Sequence, residues 1–541
     1  MRTGADHNFS FRAGGVRALT RELNTLDPTQ AISKVNQPRV VIGIIFAAFL
    51  VLGFARCYTN LPWVDEGWFF DPVYNWIVHG HTGTTVMEGK GFPWQGIERH
   101  QFWQPPMHLI WDAIWLKIFG LSLVAFRSLS LFAGVWLLIA WLYILKHFHA
   151  PLAVRLLAFA FIGTDYAVLR AASDGRTDMI SAAFGLGAVA TYLRFRDRSF
   201  TSAVLLSQTL VVCGGMTHPI GGVVYLALLI YFFVKGKDWQ KLRPVHITLG
   251  LLPYAIGVAG WGLYIAQDPQ LFRKIFFGSS AAGRLSGMLN PLLALQREIV
   301  IRYLSPFGLF GHTWVLKAKL LIPIVYLTGA LLVVLLGPVR RQPFLRPFIA
   351  MWAIASITVF LVDNQRNGTY MVHLLPHYAV LLASLIYWVY QNMSAARPVL
   401  MLFAASFLAL QIGGSMYIIL TNPYGRQYKP VTDYVLQHAR PGDRIVGTSE
   451  LGFGIGFDRL HDDMALGYYV DKQPNIIVLC PRYEAWYQEI RGTAIHDFIQ
   501  ARLLEFQPVF GTNAFQVLMP KGFSAGRHSG DATSQQARLH P

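Results

Sequence analysis

The sequence predicts an all-α polytopic membrane protein with about eleven transmembrane helices, juxtamembrane helices on its outer face and a small C-terminal α/β domain. Of its 541 residues, 54% are hydrophobic and only 14% are charged, whereas soluble domains typically carry about 25% charged residues. Apolar runs close to 20 residues long recur between residues 39 and 420, and a helix of that length crosses a bilayer. The composition therefore excludes a soluble globular protein.

Eleven apolar runs predict spanning helices. They lie near 39–56, 123–145, 151–168, 178–194, 200–214, 219–234, 245–266, 319–338, 347–362, 371–391 and 399–420. The stretch 104–120 is short for a bilayer and carries Asp112 and Lys117, so we expect an amphipathic helix at the membrane surface, with Pro105 and Pro106 at its start.

The net charge of +17 predicts an orientation and does not indicate a nucleic-acid partner. Short cytoplasmic loops are rich in Lys and Arg, and with eleven spans nearly every short basic segment falls on the cytoplasmic side. These segments are the N-terminal tail, 146–155, 194–198, 235–243, 340–346 and Arg397. If 104–120 crossed the membrane, every later loop would change sides. The same topology places the polar stretches that follow Thr59, Leu169 and Val212 together at the outer surface.

Four regions follow from this pattern. We expect a cytoplasmic tail over 1–38, a transmembrane domain over 39–420, an extracytoplasmic α/β domain over 421–522 and a disordered tail over 523–541. In the third region RIVGTS, NIIVLC and AFQVLM read as strands, and KPVTDYVLQHA and EAWYQEIRGTAIHDFIQARLLEF read as helices. The three cysteines show neither metal-ligand spacing nor a disulfide framework.

The adjacent acids Asp65 and Glu66 are the first candidate catalytic residues. They follow the first apolar run among aromatic residues and prolines, where carboxylates beside a membrane are costly to place. A carboxylate there can deprotonate a hydroxyl nucleophile. The alternative is a solvated loop in which acids are ordinary.

Arginines on the same outer face are candidate phosphate ligands. Arg170 and Arg176 lie beside Asp174 and Asp178, and the guanidinium group binds phosphate with two parallel hydrogen bonds. The alternative is an ion-paired loop that starts the fourth span. Arg284 belongs to the long basic loop 267–318, which could hold an anionic lipid headgroup or simply carry surface charge.

Histidines on the outer side are weaker candidates. His100, His218 and His373 could bind substrate, although any one of them is more often a packed or hydrogen-bonded side chain. Together with the acids they could form a divalent metal site, but no HxxH or HExxH spacing supports one. We therefore assign no cofactor and leave a divalent metal open.

The order of several elements resembles the membrane glycosyltransferases of the C-type fold, specifically the protein O-mannosyltransferases and lipid A aminoarabinose transferases. The resemblance covers roughly residues 40–420. It rests on the acidic pair after the first span, the Pro-Pro helix from Gln104 to Gly120, Arg127 at the start of the next span, the element from Arg176 to Met179 and the element from Tyr370 to Pro376.

The resemblance implies a polyprenyl-phosphate sugar donor and an inverting transfer on the outer face. Asp65 would match the catalytic acid of the family and Asp178 its second acidic position, with Gln104 and Tyr370 among the substrate-binding residues. The family often has Lys or His where Gln104 stands, and Lys-Gly where Thr217 and His218 stand. The sequence therefore names neither the sugar nor the acceptor.

The sequence thus predicts a glycosyltransferase in the bilayer, with its active site and C-terminus extracytoplasmic, as in a bacterial inner membrane. We expect a lipid-linked sugar donor, a lipid, glycan or protein acceptor, and no nucleic acid. A lipid or solute transporter is the alternative, but transporters show internal repeats and ionisable residues near the midplane of their spans. A non-catalytic scaffold would not explain carboxylates and basic partners gathered on one face.

Overall fold

Helices form most of the computed structural model, which describes residues 28–281, 291–311 and 313–522. Those of eight or more residues are labelled in chain order: α1 (Pro28–Thr59), α2 (Val64–Val78), α3 (Met107–Phe119), α4 (Leu123–His147), α5 (Leu152–Thr164), α6 (Tyr166–Ser173), α7 (Thr177–Phe195), α8 (Phe200–Thr217), α9 (Pro219–Lys235), α10 (Pro244–Ile265), α11 (Leu321–Leu335), α12 (Arg346–Val362), α13 (Leu375–Asn392), α14 (Arg397–Thr421), α15 (Lys429–His438), α16 (Pro481–Glu489) and α17 (Ala494–Leu503).

A helix or helix pair occupies each of the eleven segments predicted to span. Within the described chain, six helices are long and apolar enough to cross a membrane, or seven if one bent pair counts as a single span. Many of their apolar side chains face outward, as on α10, where Val258 and Leu263 are 69% and 74% exposed. Such surfaces require a lipid environment, so the protein is an integral membrane protein; the full number of eleven spans stays a prediction.

The bent pair corrects the prediction of one continuous span over 151–168. Helices α5 and α6 meet at an angle of 51° because Asp165 ends the first and caps the second. Its carboxylate accepts hydrogen bonds from the backbone N–H groups of Ala167 and Val168, at 2.8 and 3.0 Å. The break sets α6 apart as a short helix, which carries Tyr166 and Arg170 to the functional site.

Helix α3 matches the predicted amphipathic segment. At about 1.5 Å per residue its 13 residues reach only about 20 Å, less than the ~30 Å hydrocarbon core. One face is buried and carries His108, Asp112 and Leu116, whereas Ile114 and Ile118 are exposed. Its length and two faces suit a helix that lies along the membrane surface.

The C-terminal region forms a five-stranded mixed sheet with helices. Its strands are β1 (Ile445–Val446), β2 (Leu460–His461), β3 (Ile476–Leu479), β4 (Phe506–Gly511) and β5 (Gln516–Pro520), in the order β2-β1-β3-β5-β4. Strand β1 pairs in parallel with β2 and β3, and β5 pairs antiparallel with β3 and β4. The three predicted strands correspond to β1, β3 and β5. The predicted tail 523–541 lies outside the described residues.

Candidate active site

Helix α2 carries the acidic pair, and the C-terminal region contacts its first turn. Asp65 and Glu66 occupy that turn, directly after Trp63. The hydroxyl of Ser449, from the C-terminal region, donates to the Val64 carbonyl at 2.6 Å. The C-terminal region therefore contributes to the position of the acids.

The two neighbouring acids have different surroundings. Glu66 is fully buried and its carboxylate forms two 2.7 Å bonds with the guanidinium of Arg127 on α4. It also accepts from the backbone N–H groups of Trp63 at 2.8 Å and Gly175 at 2.9 Å. Both carboxylate oxygens of Glu66 are therefore occupied by hydrogen bonds within the protein. This arrangement indicates a structural role and leaves neither oxygen free to contact the acceptor substrate.

Asp65 instead faces a partly open space. Its side chain is 20% exposed and its carboxylate pairs with Arg176, which also donates to Asp178 at 2.8 Å. Burial alone would lower the pKa of Arg176, but the charges of Asp178 and Asp65 raise it above its ordinary value. Arg176 is therefore a permanent cation that joins the start of α7 to the start of α2, and its charge is already matched by two carboxylates.

A cavity of about 440 Å³ adjoins this ion-paired group, within the range of roughly 300–1,000 Å³ typical of small-molecule sites. Trp63 lies at its wall, with the guanidinium carbons of Arg170 and Arg176 at 5.0 and 5.1 Å from its ring centroid. Asp174 and Asp178 also line the cavity. The structure therefore brings together the two arginines and two of the acids that the sequence singled out.

Another part of the wall comes from the short 3-10 helix Gly368–His373, of which Gly368, Thr369, Met371 and Val372 line the cavity. Within it, the Tyr370 hydroxyl lies 3.3 Å from Nε2 of His218, and Nδ1 of His373 lies 3.3 Å from the Tyr225 hydroxyl. The hydroxyl of Thr369, the residue before Tyr370, accepts a hydrogen bond from Arg176 at 3.4 Å. His218, Tyr370 and His373 thus form a buried polar layer next to the ion-paired group.

His100 and Gln104 are not among the residues that line the cavity. His100 stacks on Phe102 with ring centroids 5.3 Å apart. Gln104 is buried at the start of α3, close in sequence to His108, whose pKa burial lowers to about 4. His108 was not among the predicted site residues, although it lies in the first turn of the predicted surface helix. Arg284 lies outside the described residues.

Three cavity-side residues carry charge or a hydroxyl and were missed. Tyr166 falls inside a predicted span, and Arg56 and Lys319 are the end residues of two others. The structure brings both cations into contact with Tyr166. A charged residue inside an apolar run is a signal of function, but which partners it meets depends on the packing of α1, α6 and α11. No group of three or more His, Cys, Asp or Glu side chains within the described ranges could hold a metal ion.

No protein-family model matches the sequence, and no curated protein does. Solved structures do match the fold. The crystal structure of ArnT from Cupriavidus metallidurans bound to undecaprenyl phosphate has a TM-score of 0.57 at 15% identity, over 88% of this chain and 97% of that chain.

An archaeal oligosaccharyltransferase, AglB from Archaeoglobus fulgidus in complex with an inhibitory peptide and a dolichol-phosphate, has a TM-score of 0.50 at 13% identity, over 89% of this chain and 74% of that chain. The Archaeoglobus fulgidus oligosaccharyltransferase tethered to an acceptor peptide gives 0.51 at 12% identity, over 87% and 72%. The predicted resemblance is confirmed at the level of the fold: the chain has the fold of these C-type membrane glycosyltransferases.

Proposed function

We propose that the protein transfers a sugar from a polyprenyl-phosphate donor to a hydroxyl or phosphate group of an acceptor, with inversion, at the extracytoplasmic membrane face. The observation that carries the proposal is the contrast between the two acids. Glu66 is buried and neutralised by Arg127, whereas Asp65 is partly exposed beside the cavity that Arg176 lines. The shared fold with structures bound to undecaprenyl phosphate and dolichol-phosphate supports a lipid-linked donor.

In the proposed reaction Asp65 is the general base. It takes the proton of the acceptor hydroxyl, whose oxygen forms a bond to the anomeric carbon while the bond from that carbon to the phosphate oxygen breaks. The electron pair leaves with the phosphate, and attack opposite the leaving group inverts the configuration. Arg176 fixes the position of the Asp65 carboxylate through their ion pair.

The polar layer of His218, Tyr370 and His373 lies next to Thr369, which accepts a hydrogen bond from Arg176. This layer is proposed to contact the sugar, whose hydroxyls need hydrogen-bonding partners. Gln104 and His100 lie outside the cavity wall and are proposed on the acceptor side. The acceptor is a lipid, a glycan or a protein, and the bilayer holds the polyprenyl tail. A bacterial inner membrane remains the proposed location.

Replacing Asp65 by Asn tests the proposal. Loss of a general base typically slows turnover about 10²–10⁴-fold, and Asn preserves size and hydrogen bonding to Arg176. We expect Asp65→Asn to lose transfer in an assay of the purified protein against a panel of radiolabelled polyprenyl-phosphate sugars, while its melting temperature stays close to that of the wild type.

Asp433→Asn is the matched control, since this carboxylate forms an ion pair with Lys429 on the surface of α15 and is 45% exposed. It should retain full turnover. Near wild-type turnover of Asp65→Asn would remove Asp65 as the base. Absence of sugar release or transfer by the wild-type protein with every donor would contradict the proposed function.

A further inference from the structure

Two buried cations meet at one tyrosine behind the cavity. Arg56, near the end of α1, is 1% exposed, and its guanidinium carbon lies 5.0 Å from the centroid of the Tyr166 ring. Lys319, just before α11, is 7% exposed and donates to the Tyr166 hydroxyl at 3.0 Å. The remaining side-chain bonds of Arg56 go to the hydroxyls of Ser173 and Ser415, at 3.2 and 3.1 Å.

Neither cation is balanced by a direct partner. Among the residues that the structure describes, no Asp or Glu forms an ion pair with Arg56 or Lys319; both are bonded to neutral hydroxyls. A buried charge without a counter-charge costs several kcal/mol, and buried cations are normally paired. The other buried arginines of the site, Arg127 and Arg176, follow that rule.

The unbalanced charge lies next to the cavity. Tyr166, which both cations contact, lines it, as do Arg170 and Asp174. Arg170 is 32% exposed and, within the described part of the chain, forms its one ion pair with Asp174, at 3.4 Å. Around Tyr166 three cations, Arg56, Arg170 and Lys319, therefore share one carboxylate, Asp174. The adjoining group of Arg176 with Asp65 and Asp178 carries one net negative charge, so the wall as a whole keeps one excess positive charge.

We propose that this wall is an anion site for the phosphate of a polyprenyl phosphate, with Arg170 and the Tyr166 hydroxyl in contact with the phosphate and Arg56 and Lys319 as charges behind Tyr166. The inference deepens the proposed function, on which it rests for the identity of the lipid. It separates two tasks: Arg176, saturated by two carboxylates, holds Asp65, and the Tyr166 wall holds phosphate.

The charge of the wall favours the leaving group over the donor. In a sugar phosphodiester the phosphate carries one negative charge. When the bond to the anomeric carbon breaks, it becomes a monoester with a charge of about −1.5 to −2 at pH 7. The excess positive charge attracts the monoester more strongly than the diester, and interactions that strengthen as charge develops lower the barrier. The released polyprenyl phosphate should accordingly bind more tightly than the sugar donor and inhibit the reaction.

Lys319→Met tests the site, because methionine keeps most of the length and removes the charge. Lys317→Met is the matched control, since Lys317 is exposed two residues earlier. Melting temperature and Kd would be measured on purified protein with polyprenyl phosphate, with the uncharged polyprenol and with inorganic phosphate. We expect the wild type to be stabilised by polyprenyl phosphate and not by polyprenol, and Lys319→Met to bind polyprenyl phosphate about tenfold more weakly.

The unliganded variants separate binding from structure. Removing an unbalanced buried charge should leave the melting temperature of Lys319→Met unchanged or raise it. A large drop in melting temperature with unchanged Kd would show a structural lysine and overturn the site, as would equal Kd values for Lys319→Met and Lys317→Met. Stabilisation by inorganic phosphate equal to that by polyprenyl phosphate would overturn the lipid as its source.

The two proposals can fail separately. A wild-type protein that binds polyprenyl phosphate through Lys319 but transfers no sugar would overturn the proposed function and keep the site. A protein that transfers sugar, with kcat, KM for the donor and product inhibition all unchanged in Lys319→Met, would overturn the site and keep the function.

Discussion

Asp65 and Glu66 carry the same functional group, but their surroundings differ because they are successive residues of one helix. Successive residues of an α-helix point about 100° apart, so the two side chains leave α2 in different directions. Glu66 turns inward to Arg127, which also donates to the carbonyls of Cys57 and Asn60 at 2.9 and 3.1 Å. One acid thereby fixes the helix to the end of α1, and the other remains open to a substrate.

Glu66→Gln should therefore destabilise the protein, in contrast to Asp65→Asn. A neutral side chain leaves the Arg127 charge buried without its partner, and breaking such a pair costs about 3–5 kcal/mol. We expect a clear fall in the melting temperature of detergent-purified Glu66→Gln, with activity lost in step with the folded fraction. Wild-type stability together with a selective loss of kcat would instead assign Glu66 to the reaction itself.

At the scale of single residues, the sequence predicted which side chains lie together at the candidate site, but not the separate role of each. The spacing around Arg176 and its position on the outer face were sufficient to predict its partnership with Asp178. The difference between Asp65 and Glu66 depends on which face of α2 meets Arg127, 61 residues away in the chain. The meeting of Arg56 and Lys319 at Tyr166 joins three distant segments, so no local pattern contains it.

Among the elements, α2 has the closest contact with the C-terminal region. Gly67 lies against Ser449 so tightly that an added Cβ would come within 2.4 Å of the Ser449 carbonyl carbon. Real Cβ atoms essentially never approach backbone atoms so closely. The close approach fixes the C-terminal region against the first turn of α2, two residues from Asp65.

Gly67→Ala should push this contact apart. Overpacking of this kind typically costs about 1–3 kcal/mol, and the displacement would move Asp65 away from Arg176, so we expect reduced kcat with a modest loss of stability. Gly43→Ala in α1 is the control: nothing lies within 4 Å of an added Cβ, and alanine favours a helix over glycine by up to about 1 kcal/mol. Equal behaviour of the two variants would show that the contact does not position the acid.

The elements that the sequence misread share one cause, a single residue that breaks a regular pattern. Asp165 splits a predicted span because it caps α6, although the apolar run continues through it. The long helix predicted after Pro481 is two helices, α16 and α17, because Gly492 adopts φ +84° and Thr493 caps the second. Strands β2 and β4 were missed for another reason: β2 has only two residues, and β4 pairs with the following strand β5 through a register shift between Pro508 and Phe510.

For the whole molecule, the length of α7 shows how far the candidate site lies from the basic loops. Its 19 residues cover about 28 Å, close to the ~30 Å of a hydrocarbon core. Arg176 and Asp178 lie at its first turn, in the candidate site. Just past its other end, Arg196 pairs with the buried Asp238 at 3.0 Å, as does Lys241. The candidate site and the basic loops 194–198 and 235–243 thus lie at opposite ends of one helix.

This separation supports a testable orientation. Short basic loops stay in the cytoplasm, so loop 235–243 should be inside and the site outside, with the C-terminal region on the side of the site because Ser449 contacts Val64. Reporter fusions after residues 121, 238 and 430 should read outside, inside and outside. Residue 121 is the most informative, since it follows α3, which is too short to cross. An external reading at 238, or a cytoplasmic one at 430, would contradict the eleven-span topology. Either result would also overturn the proposal that the reaction takes place on the extracytoplasmic side.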